Sequence, residues 1–199
     1  MARRADHTKE ELNELVVSGA HDLIVEEGIE GLSARSLSRR IGYTPGTLYN
    51  HFKDLDEIVT AVNARTIAGV AEAFAAAKRS RDPRQMLHNY ADAFIGFIDA
   101  NPRLWQALFE FKRSDGVAVP DWYRRSILSL AGTIAPCFKA IRPSASEAEA
   151  EEAGKLVFAS IHSVSSLQKS GRLAFLLGRD TRAVVHELVD IHIKAFAQG

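Results

Sequence analysis

The sequence predicts an all-α fold, and three observations carry that reading. Helix-opening caps recur along the whole chain, apolar residues between them repeat at helical spacing, and the alternation of a strand is almost absent. At 199 residues the chain is long enough for one large or two small domains with a real core. Its 46% hydrophobic and 25% charged residues are ordinary for a globular protein.

The elements follow in order. Thr8 and Glu11 form a capping box before a stripe of Leu12, Leu15, Val16, Ala20, Leu23 and Ile24, closed by Gly28. Ser33 caps a second helix that turns Leu37 and Ile41 inward and ends at Gly42. Thr44 caps a third, with Pro45 at the first helical position, where its missing N–H costs nothing. Asp54 and Glu57 open a long fourth helix, through Ile58, Val62 and Ile67 to about Lys78. Asp82-Pro83 starts a helix carrying Tyr90, Phe94, Phe97 and Ile98, and Asn101-Pro102 one carrying Trp105, Leu108 and Phe109. After a loop at 114–119, a helix through Trp122, Ile127, Leu128 and Leu130 is expected to bend or stop near Pro136. Ser146 and Glu149 cap the next helix, to about Ser170, and a last one runs from about Asp180 to Phe196. The expectation is about nine helices, with residues 1–53 as a small N-terminal domain, 54–199 as a larger bundle, and the fourth helix as connector.

Lys+Arg and Asp+Glu both number 25, so the chain as a whole is neutral. The charge is nonetheless partitioned. Residues 1–30 hold three Lys/Arg against eight Asp/Glu, whereas 33–53 hold Arg35, Arg39, Arg40 and Lys53 and no acid at all. Cys137 stands alone, which excludes an internal disulfide and fits a reducing compartment. No apolar stretch follows the N-terminus, and no uninterrupted apolar run approaches the ~20 residues of a membrane span. A cytoplasmic protein with no membrane partner is therefore expected. His88, His162, His186 and His192 lie on separate faces or elements, no His/Glu pair has zinc-site spacing, and no Gly-rich phosphate loop follows a strand. No enzyme, cofactor or metal is called for.

The acid-free interval is a short helix, a Gly-containing turn and a second capped helix, the pattern that seats a helix in the major groove of DNA. The turn from Thr44 to Thr47 offers free backbone N–H groups to phosphate, and Gly46 lets the backbone come close to a duplex. Leu48 and Phe52, four apart, should anchor on Leu37 and Ile41, which leaves Tyr49 outward with a phenol able to donate to phosphate. His51 and Lys53 can reach phosphates at the far end. Thr47 and Tyr43 are candidates for thymine methyl contact, and Arg35 and Arg40 for phosphate or groove. An all-α adaptor would have no need of this acid-free register.

Gly42-Tyr43-Thr44-Pro45-Gly46-Thr47-Leu48-Tyr49-Asn50-His51-Phe52 closely resembles the signature of TetR-type transcriptional regulators. The likeness runs from about Ala20, through Gly28 and Ser33, to about Ile58. It implies an all-α homodimer whose first three helices bind DNA and whose C-terminal domain takes a small ligand. It further implies operator contacts by Ser33, Thr44, Gly46, Thr47, Tyr49, His51 and Lys53, with Pro45 at the same helix start. The family often has Lys two residues beyond the position of Lys53; here Leu55 stands there, which leaves one phosphate contact open.

In the C-terminal half, Leu156, Val157, Phe158, Ile161, Val164 and Leu167 spread too widely around their helix for one packing face. Val184, Val185, Leu188, Val189, Ile191, Ile193 and Phe196 do likewise. Such helices are either fully buried in a monomer or, as the family resemblance implies, paired two from each chain in a four-helix homodimer interface. The aromatics Phe94, Phe97, Trp105, Phe109, Phe111, Trp122, Phe138 and Phe158 are core or pocket lining. Phe94, Phe97, Trp105, Trp122 and Phe158 are the lining candidates for an apolar or aromatic effector. His162 is either a satisfied core histidine or a ligand contact. The expected function is a homodimeric repressor released by a small molecule from a near-palindromic double-stranded operator, its recognition helices about 34–36 Å apart.

Overall fold

A computed structural model describes residues 7–110, 120–169 and 171–199. The expected loop at 114–119, Phe111 and the helix end at Ser170 lie outside the described residues. Among those described, all regular structure is helical. The elements are α1 (Lys9–Glu27), a 3₁₀ turn (Ile29–Gly31), α2 (Ala34–Ile41), α3 (Pro45–Tyr49), α4 (Leu55–Ala76) and α5 (Pro83–Ala100). They continue with α6 (Pro102–Glu110), α7 (Asp121–Ile141), α8 (Glu147–Lys169), α9 (Arg172–Leu177) and α10 (Thr181–Gln198).

The caps show why the chain breaks where it does. Thr8 and Glu11 satisfy each other's backbone N–H groups at 3.2 and 2.8 Å, as the spacing predicts. At α2 the partner of Ser33 is Ser36, whose hydroxyl accepts from the Ser33 N–H at 2.9 Å. Asp54 accepts from the Glu57 N–H at 2.8 Å, while the Glu57 carboxylate turns back to the N–H of Lys53 rather than of Asp54, at 2.6 Å. Ser146 and Glu149 close the box of α8 at 2.6 and 3.2 Å.

Two details of the helices differ from the simplest reading of the sequence. Pro136 neither stops nor ends α7, which runs unbroken from Asp121 to Ile141. Gly132, Thr133 and Pro136 all lie on the exposed side of that helix, so the carbonyl released four residues before the proline is free to bond water. The stretch before α10 holds a further short helix. Gly171, at φ +71°, ends α8 and lets the chain restart as α9, making ten α-helices in the described residues rather than nine.

Packing divides the chain into two compact units, Met1–Thr66 with Asn101–Ala118, and Ile67–Ala100 with Val119–Gly199. The first unit reaches past the expected boundary at residue 53 because its core needs more than three helices. Val16, Ile24, Leu37, Leu48, Ile58 and Val62 are joined there by Leu104 and Ala107 of α6. Arg103 on α6 donates to the carbonyls of Val25, at 2.8 Å, and Glu26, which the end of α1 leaves without helical partners. The second unit is built on α5, α7, α8 and α10 around Phe94, Phe138, Val185 and Val189. By length and composition α4 alone among the described helices passes for a membrane span, but half of that window is buried. Its apolar length has another cause: Ile58, Val59 and Val62 serve one core and Ile67, Val70 and Phe74 the other.

The first unit has one point of very close approach. A Cβ at Gly19 of α1 would lie 2.6 Å from Ile41 Cγ2 and 3.2 Å from Leu37 Cδ1 of α2. Gly19→Val should therefore destabilise the protein by about 1–3 kcal/mol through overpacking. Gly132→Ala, where nothing lies within 4 Å, should leave stability unchanged or raised. Thermal unfolding of the two variants beside wild type is the check; equal losses would mean that α1 and α2 do not meet at Gly19.

Candidate nucleic-acid interface and ligand cluster

The α2–α3 turn is made by Gly42, the left-handed cap of α2 at φ +76°, with the Tyr43 N–H donating to the Ser38 carbonyl at 3.0 Å. Thr44 then caps α3: its hydroxyl accepts from the Thr47 N–H at 3.3 Å and lies 3.0 Å from the Thr47 hydroxyl. Leu48 and Phe52 are buried in the core with Leu37, and Ile41 packs against it, as the spacing predicts. That anchoring sets the opposite face outward. Tyr49 is 49% exposed, and Thr44, Pro45 and Gly46 are exposed around it. Around Gly46 the nearest atom to a notional Cβ is Thr44 Oγ1 at 3.9 Å, so the surface there is open to close approach. Thr47 and Tyr43 are half-buried at its edge, and the Tyr43 ring lies 6.2 Å from that of His7.

The cations divide into two kinds. Arg35, Arg39 and Lys53 are exposed, and among the described residues none has a carboxylate partner. Arg40 is different. Both arms of its guanidinium bond Glu26 near the end of α1, one at 2.9 Å. Those hydrogen bonds hold the Glu26 carboxyl below the usual range and raise the guanidinium. Arg40, expected at phosphate or groove, is here paired across to α1. Ser33 also has a structural duty, since its hydroxyl is engaged with Ser36 while remaining at the surface. His51 is held from a distance: its Nδ1 lies 2.9 Å from Asn13 Oδ1 on α1. Asn13 is not among the sequence-predicted site residues, because a partner 38 residues away leaves no local signal. Arg39, outside the sequence-predicted site residues, is exposed within the acid-free interval.

Of the ligand-lining candidates, Phe94 and Phe158 meet, with ring centroids 5.2 Å apart. Phe94 also faces Phe74 at 6.1 Å, and Phe74 faces Tyr90 at 5.2 Å. Phe97 packs where Gly69 has no side chain, its ring edge 2.8 Å from a notional Cβ there. His162 follows Phe158 by one turn of α8 and is half-buried. The other two candidates stand apart. Trp105 is buried but falls in the first unit, and Trp122 is 43% exposed and packs edge-on against Tyr123. Among the described residues no group of three or more His, Cys, Asp or Glu side chains is placed to hold a metal ion.

Burial pushes the imidazoles of His162 and His192 below their ordinary value of 6.5; His192 also lies 2.9 Å from the Ser160 hydroxyl. A folded state that resists charging these rings binds fewer protons than the unfolded chain, so their stabilising effect is present above pH 6.5 and lost as the pH falls toward their folded values. Urea unfolding should thus show lower stability at pH 5.5 than at pH 7.5. The difference should shrink in His162→Gln. An undiminished pH dependence in that variant would take His162 out of the account.

Residues 16–62 match the family model of bacterial regulatory proteins, tetR family. An uncharacterized HTH-type transcriptional regulator, YobS of Bacillus subtilis strain 168, is 26% identical over 93 residues, so the match spans 47% of this chain and about half, 49%, of that relative. A protein of unknown function from Rhodococcus sp. RHA1 has a similar fold, with TM-score 0.71 and 20% identity over 98% of this chain and all of that one. So does SCO7222, a TetR from Streptomyces coelicolor, with TM-score 0.66 and 17% identity over 93% and 97%. BioQ, solved with its double-stranded DNA operator, gives TM-score 0.65 and 18% identity over 94% and 98%. At these identities the solved structures share the fold alone. The helix-turn-helix segment carries the likeness: it is residues 16–62 that match the bacterial regulatory proteins of the tetR family.

Proposed function

We propose that the chain is a homodimeric repressor in the cytoplasm, released from a near-palindromic duplex operator when a small apolar or aromatic molecule binds its second unit. The observation that carries this reading is the surface over α2 and α3. It presents Tyr49, Thr44, Gly46 and three cations without carboxylate partners among the described residues, and contains no acid between Ser33 and Lys53. Dense phosphate charge would repel carboxylates there, so their exclusion fits a nucleic-acid partner. Ser33, Arg35, Tyr43, Thr47, His51 and Lys53 form the rest of the contact set. Arg40 is assigned to holding α2, and Arg39 joins the phosphate contacts. BioQ, a protein of similar fold, has been solved with its double-stranded DNA operator.

The dimer reading rests on apolar side chains left exposed on α8 and α10, Leu156 at 51% and Ile191 at 54%. Phe175, Leu176 and Leu177 on α9 are exposed as well. Effector binding is supported by the Phe94–Phe158 contact with His162 one turn on. A ligand that prefers one conformation of this unit would shift operator affinity by its differential affinity alone.

Two measurements test the proposal. In gel shifts, affinity for duplex DNA should fall steeply with salt. Lys53→Ala should reduce the slope of log K against log salt by about one for each phosphate it no longer neutralises, and Tyr49→Phe should weaken binding up to about tenfold. Arg40→Ala should leave the slope unchanged. No salt-dependent shift by wild type, or a slope altered only by Arg40→Ala, would remove the docking face. In sedimentation, Leu156→Asp combined with Ile191→Asp should turn a dimer into a monomer; a dimer that survives both has another interface.

A further inference from the structure

The His51–Asn13 contact assigns a proton. The two atoms lie 2.9 Å apart, partly buried, with Asn13 presenting its carbonyl oxygen to the ring. An amide oxygen only accepts, so the hydrogen between them belongs to His51 Nδ1. A neutral imidazole carries one N–H. With that hydrogen on Nδ1, Nε2 holds a lone pair. Nε2 has no protein partner among the described residues and is not sealed from solvent. A phosphate oxygen also only accepts, so a neutral His51 in this tautomer presents lone pair to lone pair. It donates to phosphate from Nε2 only after taking a second proton.

We propose that Asn13 is a positioning residue for DNA docking: by fixing the His51 tautomer, it makes the phosphate contact of that ring conditional on proton uptake. The inference rests on the DNA-docking reading above and names one of its contacts. The charged groups on the elements around the ring are few. On α1, Lys9 and Glu10 precede Asn13 by one turn and Glu14 follows it directly; Glu14 is held by Arg65 and Ser18. At the junction into α4 stand Lys53, Asp54 and Glu57, the two carboxylates engaged by backbone N–H groups. No carboxylate pairs with His51 among the described residues, so water alone meets the second N–H until phosphate supplies an anionic partner.

The test is fluorescence anisotropy of a labelled mixed-sequence duplex at fixed low salt, from pH 8 to pH 6. For the wild-type full chain, affinity should rise as pH falls, by up to about tenfold per pH unit for each His51 that takes up a proton. His51→Gln should flatten the profile, whereas His7→Gln and His21→Gln, the other histidines of the first unit, should not. Asn13→Ala frees the ring to carry its single hydrogen on Nε2, so binding at pH 8 should persist and the pH dependence shrink. Asn13→Asp keeps an acceptor at Nδ1 and favours the imidazolium, so the dependence should remain and move to higher pH. That second variant also guards against loss of fold in the first. A slope identical in wild type and Asn13→Ala, or one that survives His51→Gln, overturns the role given to Asn13. Absence of any salt-sensitive binding at either pH would overturn the docking reading as well, which keeps the two failures apart.

Discussion

Burial of Leu37, Leu48 and Phe52 against α1 is the contact on which the rest of the first unit depends. A helix of five residues has no stability of its own in water, since nucleation costs more than so short a ladder returns. α3 therefore exists because Leu48 and Phe52 are taken out of solvent and because Thr44 satisfies the N–H of Thr47. The same burial fixes which side of α3 faces outward. Tyr49 is at the surface because Leu48 is not. Core packing and exposed chemistry are here two consequences of one register, and a helix this short cannot rotate to trade them.

Electrostatics divides the labour in a way that net charge conceals. The acidic α1 does not merely balance the basic segment. Glu26 takes both arms of Arg40 for a structural purpose, while Arg35, Arg39 and Lys53 meet no carboxylate among the described residues. The number of cations in a segment is thus a poor measure of the number available to a polyanion. Exposed ion pairs of this kind add little stability. What the Arg40 pair adds is definition, since it sits where α2 must meet the last turn of α1.

Much of this is legible in the sequence, and the misses have physical causes. Caps and stripes locate the helices because both are local: Thr8 and Glu11, Ser33, Thr44, Ser146 and Glu149 act within one turn. The orientation of α3 is legible for the same reason, through the spacing of Leu48 and Phe52. Pro136 misleads because its cost depends on whether the freed carbonyl reaches water, which is a property of the surface and not of the residue. Asn13 and the Glu26–Arg40 pair are invisible because their partners are 38 and 14 residues away. Trp122 and Trp105 show the limit of composition: an aromatic residue announces that it wants cover, but not which core supplies it.

Gly154 has a consequence for how such a protein can diversify. A methyl group there would stand 2.7 Å from the main-chain oxygen of Ala131, an atom that no rotamer can move aside. α7 and α8 consequently meet backbone to backbone, and even alanine would wedge the seam apart. Phe158 begins one turn further along α8, where Phe94 and its aromatic neighbours have side chains that can be exchanged for others of different bulk. Change of side-chain bulk is thereby confined to the ring-filled end of the bundle, with the glycine seam as its fixed post.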